Sequence, residues 1–203
     1  MLLEDTYNAT LFTKTLHDMD ACFQFEDQNV YEHGKSVADF ATRLLSDSFD
    51  LLLLDDMRLP EWFIANRSSL LEKIYPLRED FVTYCIMHDC GKPYCRTEDG
   101  DGKVHFSNHE QVSFERWVEI SGDPNGLIAQ CILHDMDMHR FKGNQVDELV
   151  AFPFIECLLV SSLAEIHANA QMFGGIDTDG FKIKYAQIER RGKQVCKKLY
   201  ANG

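Results

Sequence analysis

Three ionisable side chains sit inside stretches that are otherwise apolar, and they limit how this chain can fold. His33 lies in YEHGKSVADFA, four residues before Val37. His134 closes LIAQCILH, and Glu165 interrupts FIECLLVSSLAEIHANAQM. Side chains four apart share a helix face, so the face that buries Val37, Phe40, Ala41 and Leu44 also carries His33 inward. An imidazole or carboxylate buried without a partner is costly. The helices must therefore bring these groups together around a common solution. A helical bundle whose inward side chains build a metal site is one such solution.

The remaining pattern agrees with helices. Asn29 can cap the first of them, and Gly91 is placed to end a second through REDFVTYCIMHD as a C′ residue. Ser107 and Glu110 have capping-box spacing ahead of Val112, Phe114, Trp117 and Val118. Asp123-Pro124 predicts another start, running through LIAQCILHDMDMH. Pro153 opens a long apolar helix that ends at Gly174-Gly175. Between them, YCRTEDGDGKVHF carries two Asp-Gly turn signals and predicts a hairpin. Hydrophobic residues are 45% and charged residues 26% of 203, enough apolar side chain for one core. No repeat or linker divides the chain. The expected class is all-α, a single domain over 1–203, with a small β-hairpin near 94–106 and a basic C-terminal helix near 180–200 packed on it.

Composition removes several functions. Thirty-three acidic against 20 basic residues give a net charge of −13. Such a surface repels phosphate backbones, so an extended nucleic acid is not expected as partner. A small phosphorylated substrate in a local pocket is compatible with it. No apolar run reaches membrane length, and MLLEDTYNAT lacks a leader pattern, so a cytoplasmic protein without a membrane partner is expected. The seven cysteines form no CxxC pair and are expected as reduced thiols.

His-Asp pairs occur at 17–18, 88–89 and 134–135. Only the second has a telling context, MHDCGKP: it closes an apolar helix and is followed by a flexible exit, a cation and a turn. With the first histidine in YEHGKSVADFA and the acidic residue in LAEIHANA, the chain resembles the HD superfamily of metal-dependent phosphohydrolases. Locally, HDCGKPYCRTEDGDGKVHFSNHE (residues 88–110) is similar to the HD domain of bacterial tRNA nucleotidyltransferases, the CCA-adding enzymes. The nucleotidyltransferase head has no counterpart here.

The resemblance implies an HD-domain bundle in which His33, His88 and Asp89 ligate a divalent ion (Mn, Fe, Ni, Co or Mg). Glu165 takes the fourth place, where the family has Asp. His109 and His134 match additional histidines that bind a second ion or contact phosphate. Asp89, Lys92 and His109 are the implied catalytic groups, and Lys92, Arg96 and His134 the implied substrate contacts. The implied substrate is a nucleotide or nucleotide-like phosphoester, cleaved by phosphomonoesterase or 2′,3′-cyclic phosphodiesterase chemistry. Hydrolysis of a (deoxy)nucleoside triphosphate or dinucleoside polyphosphate is the alternative enzyme. A degenerate HD domain that binds a nucleotide or partner is the non-enzymatic one, and a homo-oligomer is left open. His105 is expected in the hairpin, His167 in a structural role, and Asp135, Asp137 and His139 at a solvated helix end.

Overall fold

The computed structural model describes residues 7–25, 27–46 and 56–200. The N-terminal stretch inspected for a leader lies partly outside these ranges. Helix α1 (Ala9–Ala21) begins where Asn8 Oδ1 accepts the Leu11 N–H at 3.1 Å. A short irregular hairpin follows, β1 (Phe23–Phe25) against β2 (Gln28–Asn29). Helix α2 (Val30–Leu44) opens on a full capping box: Asn29 Oδ1 accepts Glu32 N–H at 2.8 Å, and Glu32 Oε2 accepts Asn29 N–H at 3.2 Å. Then come α3 (Glu61–Ile74), α4 (Arg78–Met87) and α5 (Lys92–Cys95).

The expected hairpin is present as β3 (Arg96–Glu98) and β4 (Val104–Phe106), paired antiparallel with Thr97 opposite His105. After it run α6 (His109–Ser121), α7 (Leu127–Leu133), α8 (Asp137–Arg140) and α9 (Val146–Val150). The chain closes with α10 (Ile155–Met172) and α11 (Asp179–Tyr200). The class is all-α with small hairpins, as expected; β1–β2 is the one not foreseen. Among the described residues no helix is long and apolar enough to cross a membrane. All seven cysteines are free.

Helix α10 is buried on nearly every side, from Ile155 to Ala170, and forms the centre. It packs on α2 and α11, while α2 packs on α4, α4 on α7 and α7 on α6. The basic helix α11 buries Phe181, Ile188, Val195 and Cys196 and leaves its lysines exposed; Lys198 pairs with Asp147 at 2.7 Å. The crossing of α2 and α4 is unusually close. A Cβ at Gly34 would fall on the Ile86 carbonyl, so only glycine permits the approach.

Four local expectations fail for identifiable reasons. Gly91 has a right-handed backbone (φ −86°) and is no C′ residue. Its role is contact, since a Cβ there would collide with the Val112–Ser113 backbone. Ser107 is no cap, because Asn108 turns left-handed (φ 56°) and His109 starts α6 directly. Pro124 belongs to a turn in which Asp123 Oδ1 accepts Asn125 N–H at 2.9 Å, and the helix starts only at Leu127. Finally, LIAQCILHDMDMH is not one helix. It breaks at His134, whose Nδ1 meets Asp137 Oδ2 at 2.7 Å.

Gly34→Ala is expected to lower stability by about 3 kcal/mol, the scale of overpacking in a dense core. A urea melt checks this, and an unchanged midpoint would contradict the tight crossing.

Candidate metal centre

The close crossing sets His33 of α2 against His88 at the end of α4, with ring centroids 5.3 Å apart. Both are buried, as is Asp89 beside them. Glu165 reaches the same place from α10. Among the described residues, His33, His88 and Glu165 each offer a ligand atom within 4.8 Å of the others. Asp89 Oδ2 stands 3.2 Å from His88 Nε2 and 3.9 Å from His33 Nε2. His109 Nε2 approaches the other carboxylate oxygen at 3.6 Å.

Backbone carbonyls set the orientation of two imidazoles. His88 Nδ1 donates to Cys85 O at 2.8 Å, and His109 Nδ1 donates to Phe106 O at 3.0 Å. Each tie places a proton on Nδ1 and aims Nε2 at Asp89, the orientation of ligating histidines generally. The turn that carries Asp89 is fixed on α6: Gly91 N–H donates to Ser113 Oγ at 2.9 Å, and Cys90 Sγ donates to Ser113 O at 3.4 Å. That contact is what brings His109, at the head of α6, to Asp89.

The electrostatics are strongly coupled. Burial opposes the charge on Asp89, but Lys92 and His88 outweigh it and hold the carboxyl well below the usual carboxylate range. Lys92 Nζ lies 2.6 Å from Asp89 Oδ2 and donates to Gln24 Oε1 at 2.7 Å. Burial also opposes protonation of His88, yet Asp89 raises it to about 10. His33 goes the other way, pushed down to about 4 by burial and by its charged neighbour His88. Glu165 is held low against burial by His139, whose Nε2 is 3.1 Å away.

The donor set fits a divalent ion. Two imidazoles and two carboxylates suit Mn, Fe, Co or Ni. Adjacent donors about 2.1 Å from one ion stand about 3 Å apart, close to the His88–Asp89 spacing of 3.2 Å. His88 Nε2 is buried and faces Asp89 Oδ2 at 3.2 Å without a well-aligned hydrogen bond. Native interiors seldom leave such an atom without a full partner, and an ion at the cluster would give His88 Nε2 one.

No protein-family profile, curated protein or solved structure matches this chain.

The predicted residues are sorted unevenly by the fold. His33, His88 and Glu165 are brought together, and Asp89 joins His33 and His88 to Lys92 and His109. His134 is not brought to that group; it is paired with Asp137 and lies against the Phe152 ring at 4.6 Å, on a separate depression that Arg140 also lines. Arg96 pairs with Glu98 at 3.2 Å and borders the surface formed by Lys14, Asp18 and Tyr94. His105 pairs with Asp99 at 2.9 Å within the hairpin. His167 is structural, accepting Arg58 N–H at 2.9 Å and donating to Leu163 O at 2.7 Å.

Two residues assigned to a solvated helix end turn inward instead. His139 pairs with Glu165. Asp135 is buried, accepts from Tyr84 Oη at 2.5 Å, and is raised by burial and by the nearby Glu165 charge, with His88 pulling the other way. The break after Leu133 is responsible: beyond it the helical face no longer continues from His134. Only the density of acids and histidines in HDMDMH hinted at this.

An ion that ligates His88 Nε2 has to displace the proton which Asp89 holds there below about pH 10. Titration with Mn²⁺ or Ni²⁺ at neutral pH is therefore expected to release about one proton per ion, and affinity should rise with pH. Calorimetry in two buffers of different ionisation enthalpy checks this; identical heats would count against His88 as a ligand.

Proposed function

We propose that the chain is a metal-dependent phosphohydrolase of the HD type, acting on a nucleotide or nucleotide-like phosphoester. The observation that carries the reading is that His33, His88 and Glu165 each bring a ligand atom within 4.8 Å of the others, with Asp89 beside His88. The HDCGKP resemblance supports it from the sequence side. His33, His88, Asp89 and Glu165 would hold the ion. A bound divalent ion supplies an acidified water and polarisation of the phosphoryl group.

The chain's own residues supply the rest. Lys92 places a fixed positive charge beside Asp89, suited to a phosphoryl oxygen whose charge grows during in-line attack. Its position over the Phe106 ring, 5.4 Å from the centroid, and its bond to Gln24 limit its freedom. His109 is the most exposed of the converging histidines, its side chain 19% accessible. Its carbonyl tie keeps Nε2 directed at the site, so a protonated His109 can donate to the leaving oxygen. His139 Nε2 holds Glu165 Oε2 at 3.1 Å and so fixes the orientation of that carboxylate.

A second reading, binding without turnover, draws on the Lys92–Asp89 pair. An ammonium 2.6 Å from Oδ2 competes with an ion for that carboxylate. Metal analysis of the purified protein, then phosphate release from nucleoside monophosphates, 2′,3′-cyclic nucleotides and triphosphates with Mn, Co, Ni or Mg, separates the two. The expected result is turnover that Asp89→Ala lowers by about 10²-fold or more, the scale of lost catalytic electrostatics. Stoichiometric metal without turnover on any of these esters would favour the binding reading.

A further inference from the structure

A cavity of about 370 Å³ opens beside Glu165 and His139, between α10, α8 and the start of α11. Its size is within the range of small-molecule sites, about 300–1,000 Å³. The walls are mainly apolar, formed chiefly by Ile166, Ala170, Phe173 and Phe181, with Asn169, Thr178 and Lys184 as further polar side chains. Phe181 is buried, while Phe173 is 55% exposed at the rim, an unusual place for a large aromatic ring. Phe173 is steadied there by an edge contact with Phe25 of β1, centroids 4.9 Å apart. Lys184 makes no ion pair among the described residues, and its charge is felt at His139. The hydrolase reading uses Glu165 and His139 and leaves the rest of this cavity without a role.

We propose that this cavity is the nucleobase subsite of the enzyme, taking the base of a nucleoside phosphate whose phosphoryl group lies at the cluster. The inference rests on the hydrolase reading for the identity of the second group, but not for the binding itself. A planar heteroaromatic ring matches the chemistry: apolar faces for Ile166 and Ala170, an exposed ring in Phe173 for stacking, and an amide in Asn169 able to give and accept a hydrogen bond at a base edge. Lys184 at the opening suits the anionic side of the same ligand. Glu165 lines this cavity and belongs to the cluster as well, so base site and cluster adjoin at that carboxylate.

Gly180 provides a clean test. It lines the cavity near the start of α11, is exposed, and a Cβ there would meet nothing within 4 Å. Gly180→Trp therefore adds bulk at the cavity lining without removing a packed side chain. The metal-loaded full-length protein is titrated calorimetrically with free nucleosides, ribose 5-phosphate, inorganic phosphate and octyl phosphate. Nucleosides, which lack a phosphate, are expected to bind, and Gly180→Trp to weaken them about tenfold or more, with metal content and circular dichroism as in the parent. Phe173→Ala is expected to weaken them in the same direction. Nucleosides that do not bind, or bind Gly180→Trp as well as the parent, overturn the proposal. Tight octyl phosphate with no nucleoside binding overturns it in favour of an aliphatic tail. Phosphate release from 4-nitrophenyl phosphate by the parent keeps the two readings apart. Release without nucleoside binding removes only the base subsite, and nucleoside binding without release of phosphate from any ester removes only the hydrolase.

Discussion

The closeness of α2 to α4 at Gly34 governs the site more than any single polar contact. Without a side chain at that point, the α2 backbone reaches the Ile86 carbonyl, and His33 and His88 are drawn together in the interior. Packed cores do not deform smoothly, so a wider crossing would separate the imidazoles and leave room that nothing fills. A second glycine does equivalent work on the other side. Gly91 lets the His88–Asp89 turn lie on the α6 backbone, which delivers His109. Helix separations therefore set the donor positions, and hydrogen bonds to Cys85 and Phe106 only turn the rings.

The charge pattern follows from that geometry. Asp89 is the common neighbour of Lys92, His88, His33 and His109, all within 4 Å of its carboxylate. Its charge is retained in a buried place chiefly because Lys92 and His88 stand beside it. Glu165 is kept ionised separately, by His139. The acidic excess of the whole chain thus says little about the pocket, where cationic groups and carboxylates are closely interleaved.

Much of this was legible in the sequence, because it depends on local signals. The Asn29–Glu32 cap, the hairpin at its Asp-Gly turns, and the long apolar helix before Gly174 each follow from residues within a turn or two of one another. The HDCGKP context singled out His88 and Asp89, which the fold buries beside His33. What was not legible depends on contacts between distant segments. Gly91 looks like a helix terminator until the α6 backbone is seen against it. Ser107 looks like a cap until Asn108 takes a left-handed turn. His134 follows an apolar helix and was drawn inward by periodicity, but the helix ends there, and Asp135 and His139 take the interior positions. The β1–β2 hairpin has too few residues to show a period of two.

The site's two ends differ in how they come together. His88, Asp89, Lys92 and His109 belong to one short stretch of chain, whereas His33 and Glu165 arrive from opposite sides of it. Local contacts form with little loss of chain entropy, and distant ones only when the bundle closes. The complete donor set is thus a property of the folded state alone. An ion that binds it selects the native chain by mass action, stabilising it in proportion to the logarithm of its concentration. The same four side chains proposed for chemistry would then also act as a thermodynamic clasp across the bundle.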